Sequence, residues 1–145
     1  MMLFSDHEMS LKIQQYLKQK YHRDFIVNGL VTINYWPSSG IEASVHEKTC
    51  PQDSFLVQRK EERNHVVFQD DYYKLIFCGL VQQEIEPYIK QVYPKSKFLV
   101  EINGKVMEGN IPITLTQAKK SGLIESIELI LFLYHDSDHC YSFDG

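Results

Sequence analysis

The sequence predicts an α+β domain in which helices pack against a single antiparallel sheet. Apolar residues recur at helical spacing over about two dozen residues, from Asp70-Asp71 to Val92. Short segments of alternating apolar and polar residues lie on both sides of this helix. Gly, Pro and Asn residues separate these segments, as tight turns between antiparallel strands require.

The size and composition of the chain fit one domain over residues 1–145. With 43% apolar residues, among them eight Phe and nine Tyr, the chain can bury a compact core and does not have the composition of a disordered protein. We expect residues 1–9 to be flexible and residues 135–145 to be a polar tail.

The first part of the chain predicts a helix and then two strands. Ser10 is a suitable N-cap for a helix over residues 11–20. Apolar residues alternate from Phe25 to Tyr35, which indicates a strand. The turn residues Pro37–Gly40 then lead into a second strand over residues 41–46.

The next segments continue this pattern into an antiparallel meander. Phe55 and Val57 belong to a third strand. Its expected partner is residues 66–68, across a charged turn at residues 60–64.

The long helix contains a proline and is still predicted to be continuous. Pro87 removes the hydrogen bond to the carbonyl of Gln83, yet the apolar stripe keeps its phase across it. We expect one kinked helix that ends before Pro94, with Asp70-Asp71 capping its first turn. The stripe consists of Phe77, Val81, Ile85, Tyr88 and Val92.

The last third of the chain predicts two further strands and a short helix. One strand covers residues 98–102 and ends at Asn103-Gly104, a dipeptide typical of hairpin turns. Helical turns over residues 116–120 stop at Gly122. The last strand, residues 127–134, is apolar on both faces, so we expect it in the middle of the sheet or at a covered interface. A sheet of this kind that curls around a helix would be cystatin-like.

The charge of the chain argues against a nucleic-acid partner. The formal net charge is −4, whereas proteins that neutralise phosphates usually present a basic face. The longest late apolar run, residues 129–134, is too short to span a membrane. With nucleic acid and a membrane span disfavoured, we expect any partner of this chain to be another protein.

The cysteines and the N-terminal residues favour a soluble protein in a reducing compartment. Cys50, Cys78 and Cys140 are widely spaced, so neither a structural zinc site nor a redox dithiol is encoded locally. The sequence leaves open whether Cys50 and Cys140 form a disulfide. Residues 1–10 lack a secretory pattern, so we expect a cytoplasmic location, or the cell surface if a signal sequence lies upstream.

Two groups of residues are candidates for binding. Tyr35 and Trp36 stand at a strand end, where aromatic rings either anchor an interface or simply cover the sheet edge. The second group, on the C-terminal tail, combines imidazole, carboxylate and thiolate side chains, although consecutive ligands on a short tail rarely converge on a metal ion. It consists of His135, Asp136, Asp138, His139 and Cys140.

The remaining residues carry no catalytic or cofactor motif. Cys50 and His46 would form a nucleophilic pair only if the loop between them folded back. The carboxylate pairs Glu61-Glu62 and Glu84/Glu86 fit a turn and a helix surface. No Gly-rich phosphate loop is present, so we expect no cofactor, and an enzyme is the less favoured interpretation.

Several segments resemble small α+β domains of unassigned function that are common in Gram-positive bacteria. Lys20–Val27 resembles their opening, and Ala43–Val57 is similar to their second and third strands. Asp70-Asp71-Tyr72 and Ser126–Leu129 resemble the starts of their long helix and last strand. The resemblance covers residues 10–134 and implies no catalytic residues. Many of these domains look like lipoproteins, which implies a cell-surface location, but this chain has no lipid-acceptor cysteine near its start.

Two functions follow as hypotheses. The first is a non-catalytic domain that binds a protein or another ligand through a sheet face, an edge strand or the Trp36 region. The alternative is a small enzyme or small-molecule-binding domain with a pocket between the long helix and the sheet, lined by aromatic residues such as Tyr72, Tyr73 or Tyr88.

Overall fold

The computed structural model describes residues 5–35, 38–112 and 114–133 and has an α+β architecture with six strands and three helices. The elements are α1 (Asp6–Tyr21), β1 (Phe25–Tyr35), β2 (Ser38–Glu47), β3 (Cys50–Glu62), β4 (His65–Asp70), α2 (Tyr73–Val92), β5 (Ser96–Gly104), α3 (Leu115–Lys120) and β6 (Ile124–Leu133). The first four strands form an antiparallel sheet in the order β1-β2-β3-β4, while β5 and β6 form a separate antiparallel pair.

The prediction of a single sheet is therefore wrong. Among the described strands, β6 pairs with β5 alone and has an open edge on its other side, so residues 127–133 do not occupy the middle of a sheet. Tyr134, the last residue of the predicted strand, lies outside the described residues. An isolated bridge links β4 to the segment that follows β5: Asp70 and Met107 exchange backbone hydrogen bonds of 3.0 and 2.8 Å. An apolar pattern on both faces shows that both faces can pack, but it does not identify what packs there.

Helix α1 begins at Asp6, before the predicted start. Ser5 is its N-cap and accepts a hydrogen bond of 3.2 Å from the backbone N–H of Glu8, so the predicted cap, Ser10, lies inside the helix. Residues 6–9, which we expected to be flexible, are helical because Met9 is buried in the core.

The predicted meander is confirmed, with one shifted turn. Arg59 pairs with Phe68 across the β3–β4 hairpin, and Arg63 and Asn64 both have positive φ angles, 50° and 62°. Two residues with positive φ suit the twist of a two-residue hairpin. In the predicted Pro37–Gly40 turn, residues 38–40 instead belong to β2, and Pro37 lies outside the described residues.

One hydrophobic core lies between α1 and the four-stranded sheet. Ile13 and Leu17 of α1 are fully buried there. The buried cluster consists of Met9, Ile13, Leu17, Phe25, Ala43, Val45, Phe55, Val57 and Tyr72. The alternation of β2 and β3 explains it, because Ala43, Val45 and their β3 partners point to one side of the sheet.

Helix α2 continues through Pro87, as predicted, and the kink stays a prediction. Its start is shifted, because Tyr73 is the first helical residue and the N-cap Tyr72 makes no side-chain capping hydrogen bond. Asp70 and Asp71, predicted to cap the helix, directly precede this N-cap: the Asp70 carboxylate accepts a hydrogen bond of 3.0 Å from the Tyr72 N–H, whereas the Asp71 carboxylate bonds to β3. Both carboxylates are buried and have other partners, described below.

A second core lies between α2, the β5–β6 pair and α3. Its buried members are Tyr73, Phe77, Val100, Ile102, Ala118 and Ile124. Thr114 and Gln117 form a reciprocal capping box at the start of α3, and Gly122, with φ 79°, follows its end, so the predicted short helix is confirmed.

The predicted hairpin at Asn103-Gly104 is wrong, because β5 runs through Gly104, which pairs with Ile124. A Cβ atom at this glycine would overlap the backbone oxygen of Leu123 and the hydroxyl of Tyr73. Close approach of another backbone, rather than a turn, therefore requires glycine here.

We expect Gly104→Ala to lower the free energy of unfolding by about 1–3 kcal/mol, the usual cost of overpacking a filled site. Gly79→Ala is the matched control, since a Cβ there would meet nothing within 4 Å. On helix α2 this control should raise stability by about 0.5–1 kcal/mol. Urea unfolding measures both changes, and similar effects of the two substitutions would contradict the packing described for Gly104.

Candidate functional site

A buried carboxylate joins α1 to the junction between β4 and α2. Oδ2 of Asp70 accepts hydrogen bonds from the Tyr16 hydroxyl at 2.5 Å and the Lys20 ammonium at 2.9 Å. Oδ1 accepts from the Tyr21 hydroxyl at 2.6 Å and the Tyr72 backbone N–H at 3.0 Å. These donors occupy both oxygens, so the carboxylate has little capacity left for a substrate or a metal ion.

The local sequence places these groups together. Tyr16 and Lys20 are one helical turn apart on α1, and Tyr21 is the last helical residue. Strand alternation puts Asp70 on the same face as Phe68, whose ring stacks on that of Tyr16 at 4.6 Å. Sequence reasoning missed this network because it assigned Asp70 to the helix, although the period of β4 already pointed the side chain to the core.

The environment of Asp70 favours protonated tyrosines. Burial and the Asp70 carboxylate raise the pKa of Tyr16 and of Tyr21 far above the ordinary value of tyrosine. Both hydroxyls therefore act as fixed donors rather than as acids, which is a structural role.

The neighbouring carboxylate ties β3 to the start of α2. Oδ1 of Asp71 accepts a hydrogen bond of 2.7 Å from the Leu56 N–H, and the Asp71 N–H donates to the Leu56 oxygen at 3.1 Å. Lys74 pairs with Oδ2 at 3.1 Å. Asp70-Asp71 is thus a structural junction between the sheet and both long helices.

An open cleft of about 520 Å³ lies between α2 and the end of the β2–β3 hairpin. At its mouth the Arg23 guanidinium donates to Glu47 at 2.9 Å and to the Tyr72 hydroxyl at 3.4 Å. Leu75 and Ile76 of α2 line its apolar wall. Of the aromatic residues expected in such a pocket, Tyr72 lines this cleft.

The other two tyrosines proposed for a pocket lie elsewhere. Tyr73 is fully buried in the second core, where its hydroxyl donates to the backbone oxygen of Lys105 at 2.8 Å. Burial, above all, raises its pKa to about 12. Tyr88 is exposed on α2.

No Cys–His pair forms between the two residues considered for it. Cys50 lies opposite Glu47 and its Sγ contacts the Thr49 hydroxyl at 3.8 Å, whereas His46 lies opposite Ser54. Cys78 is half-buried, burial raises the pKa of its thiol, and its Sγ donates to the Val100 oxygen at 3.4 Å. Cys78 thus serves as a small apolar residue packed against the second core.

The remaining sequence-predicted site residues lie mostly outside the described part of the chain. Tyr35 is the last residue of β1, and Trp36 is not among the described residues. The tail candidates His135, Asp136, Asp138, His139 and Cys140 are not among them either. Within residues 5–35, 38–112 and 114–133, no group of three or more His, Cys, Asp or Glu is placed to hold a metal ion. In the same ranges, no helix has both the length and the apolar character needed to cross a membrane.

Exposed apolar side chains lie on both rows of β6. Leu129 and Leu133, on one row, are 49% and 54% exposed, and Phe132, on the other row, is 51% exposed. We call these three residues, Leu129, Phe132 and Leu133, the β6 surface. The α2 stripe, which is buried at Phe77, is also exposed in its second half, with 70% exposure at Tyr88 and 67% at Val92.

The sequence pattern predicts the apolar residues of this surface but not their exposure. The two apolar faces of residues 127–134 indicated a covered strand, and the α2 stripe indicated a covered helix. In the structure the second half of the α2 stripe and apolar residues on both rows of β6 are exposed instead.

Comparisons with protein families, characterised proteins and solved structures find no match to the chain. The resemblance to Gram-positive domains stays a prediction, and function follows from the geometry of the chain itself.

We expect Asp70→Asn to destabilise the fold by about 3–5 kcal/mol, because it breaks a buried ion pair and leaves Lys20 without its counter-charge. Asp24→Asn is the matched control, since Asp24 pairs with Lys18 at 3.0 Å in solvent. It should change stability little. Denaturant unfolding of both variants checks this difference, and equal losses would contradict the role assigned to Asp70.

Stability should fall as the pH rises above 10, because Tyr16 and Tyr21 keep their protons in the folded state and lose them in the unfolded state. The stabilisation is complete below pH 10 and lost progressively above it. Above pH 10, Tyr16→Phe should make the unfolding free energy fall less steeply with pH, by the equivalent of up to about one proton released on unfolding. Unfolding free energies measured above pH 10 test this prediction. An unaltered slope in Tyr16→Phe would contradict the role given to its protonated hydroxyl.

Proposed function

We propose that the chain is a non-catalytic protein-interaction domain that binds its partner through the β6 surface. One observation carries the proposal: β6 exposes apolar side chains on both of its rows, and among the described strands it has no partner on the side away from β5. Large apolar surfaces next to an unpaired strand edge are typical of protein-binding sites, because a partner can add both hydrogen bonds and apolar contacts.

The edges of the four-stranded sheet differ from that of β6. β1 carries a bulge between Val27 and Gly29, and β4 is only six residues long. Bulges and short edge strands are devices that prevent unwanted pairing. The second half of β6, residues 129–133, has no charged residue, proline or bulge, so its edge is suited to pairing.

The alternative function, small-molecule binding, has its support in the cleft beside α2. The volume of about 520 Å³ lies within the usual range for ligand pockets. Arg23 and Glu47 pair with each other across its mouth, however, which leaves fewer polar groups to orient a ligand. The saturated Asp70 carboxylate also offers no general base. The geometry therefore favours the β6 surface.

The test is selection of binders from a displayed peptide library that also contains overlapping fragments of the chain itself. The chain is immobilised at low density, so that neighbouring copies cannot pair. We expect clones that bind the wild-type chain and lose at least tenfold in binding to Leu129→Lys, because a charge on β6 opposes apolar contact and strand pairing.

Val31→Lys is the matched control, since Val31 is an apolar residue, 65% exposed, on β1, an edge strand of the four-stranded sheet. It should bind the selected clones as the wild type does. Clones that ignore Leu129→Lys but are lost in Arg23→Ala would place binding at the cleft and overturn the proposal. Recovery of no clone that depends on β6 would overturn it as well.

A further inference from the structure

We infer that the cleft between α2 and the end of the β2–β3 hairpin is a second binding site, which takes a small organic amine with an apolar body. The cleft has a volume of about 520 Å³, which is typical of small-molecule sites. It shares no lining residue with the β6 surface. The inference is therefore independent of the proposed function and assigns a ligand of a different class to another part of the molecule.

Helix α2 has a second apolar face, and this face lines the cleft. It consists of Ile76, Gly79, Leu80 and Gln83, at positions i, i+3, i+4 and i+7 of the helix. Phe77, on a different face, packs into the second core. Ile76 is 37% exposed and Leu80 is 53% exposed. An apolar group that enters the cleft removes this side-chain surface from water, which favours binding.

Gly79 lies in the middle of this face, where the described part of the chain gives no reason for a glycine. Its backbone is helical, so a left-handed φ does not explain it, and an added Cβ would meet no other part of the chain within 4 Å. Glycine inside a helix lowers stability relative to alanine, because it has more conformational entropy to lose on folding. A ligand that lies against the helix backbone, beside Ile76 and Leu80, accounts for a residue that folding alone disfavours.

The charges of the cleft leave one carboxylate for a ligand. Arg23 and Glu47 pair with each other at 2.9 Å, so their charges largely cancel. Asp53 of β3 also lines the cleft; it is exposed and forms no ion pair with another described residue. A positively charged group on the ligand therefore complements the cleft, whereas a carboxylate or a phosphate would be repelled.

The apolar wall and the single carboxylate together select an amine with an apolar body. The body lies on Ile76 and Leu80, and the ammonium group lies beside Asp53. Because the Arg23–Glu47 pair leaves few polar groups to orient a ligand, affinity comes mainly from apolar contact. Such contact depends on close approach to the helix at Gly79.

Titration of the full chain with phenylethylamine, phenylpropylamine and phenylbutylamine tests the inference. Each amine is compared with its matched alcohol and its matched carboxylic acid. Backbone amide NMR shifts give the dissociation constant and locate the bound probe. We expect the amines to shift the amides of residues 75–83 and to bind about tenfold more tightly than the acids.

Gly79→Leu should weaken amine binding at least tenfold, because the new side chain fills the space against the helix. The same variant should be at least as stable to urea as the wild type, since leucine is a better helix former than glycine. A glycine required by the packing of the chain would instead lose stability on this substitution. The combination of weaker binding and retained stability therefore distinguishes a ligand site from a structural role.

Asp53→Asn should weaken binding of the amines about threefold, the scale of a solvent-exposed ion pair, and leave binding of the alcohols unchanged. Asp6→Asn is the matched control, since Asp6 is exposed and does not line the cleft. It should leave the binding of all probes unchanged.

Three results would overturn the inference. The first is the absence of saturable shifts in residues 75–83 with every amine. The second is amine binding that Gly79→Leu or Asp53→Asn leaves unchanged, and the third is binding of the acids as tight as that of the amines. None of these results bears on the proposed function, which fails only if no peptide clone depends on β6 or if the clones depend on Arg23 instead.

Discussion

The buried Asp70 carboxylate is the interaction on which the arrangement of this domain depends. Asp70 is the last residue of β4 and lies just before α2. Its carboxylate receives hydrogen bonds from three side chains of α1, while its backbone pairs with Met107. A charge buried without partners would be costly, so the carboxylate is tolerated because its donors replace water. Asp70 thereby orients α1, the first sheet and the start of α2 relative to one another.

This junction also explains why the second pair of strands stands apart. The chain leaves the sheet at Asp70, forms α2 and returns as β5 under that helix, so the second core forms around α2 rather than as an extension of β4. Because β5 and β6 pair only with each other among the described strands, one edge of β6 is left open. The chain path that builds the second core around α2 therefore also leaves the β6 surface exposed.

Local patterns in the sequence predicted the elements better than their assembly. The meander, the continuity of α2 through Pro87 and the short helix before Gly122 depend on spacing within a few residues, and all three are found. The division into two sheets, the glycine contact at Gly104 and the partners of Asp70 depend on residues far apart in sequence, which periodicity does not specify. For the last strand, the pattern indicated covered faces but could not tell whether this chain or another molecule covers them.

Hydrogen exchange of the β6 backbone amides measures most directly whether a bound partner covers the open edge. Alternate amides of β6 point to β5 and to the open edge. Our account predicts that the edge-facing amides exchange rapidly in the free chain and slowly when a library peptide that depends on β6 is bound, whereas the β5-facing amides change little. Equally rapid exchange of the edge-facing amides in the free and the bound chain would contradict it.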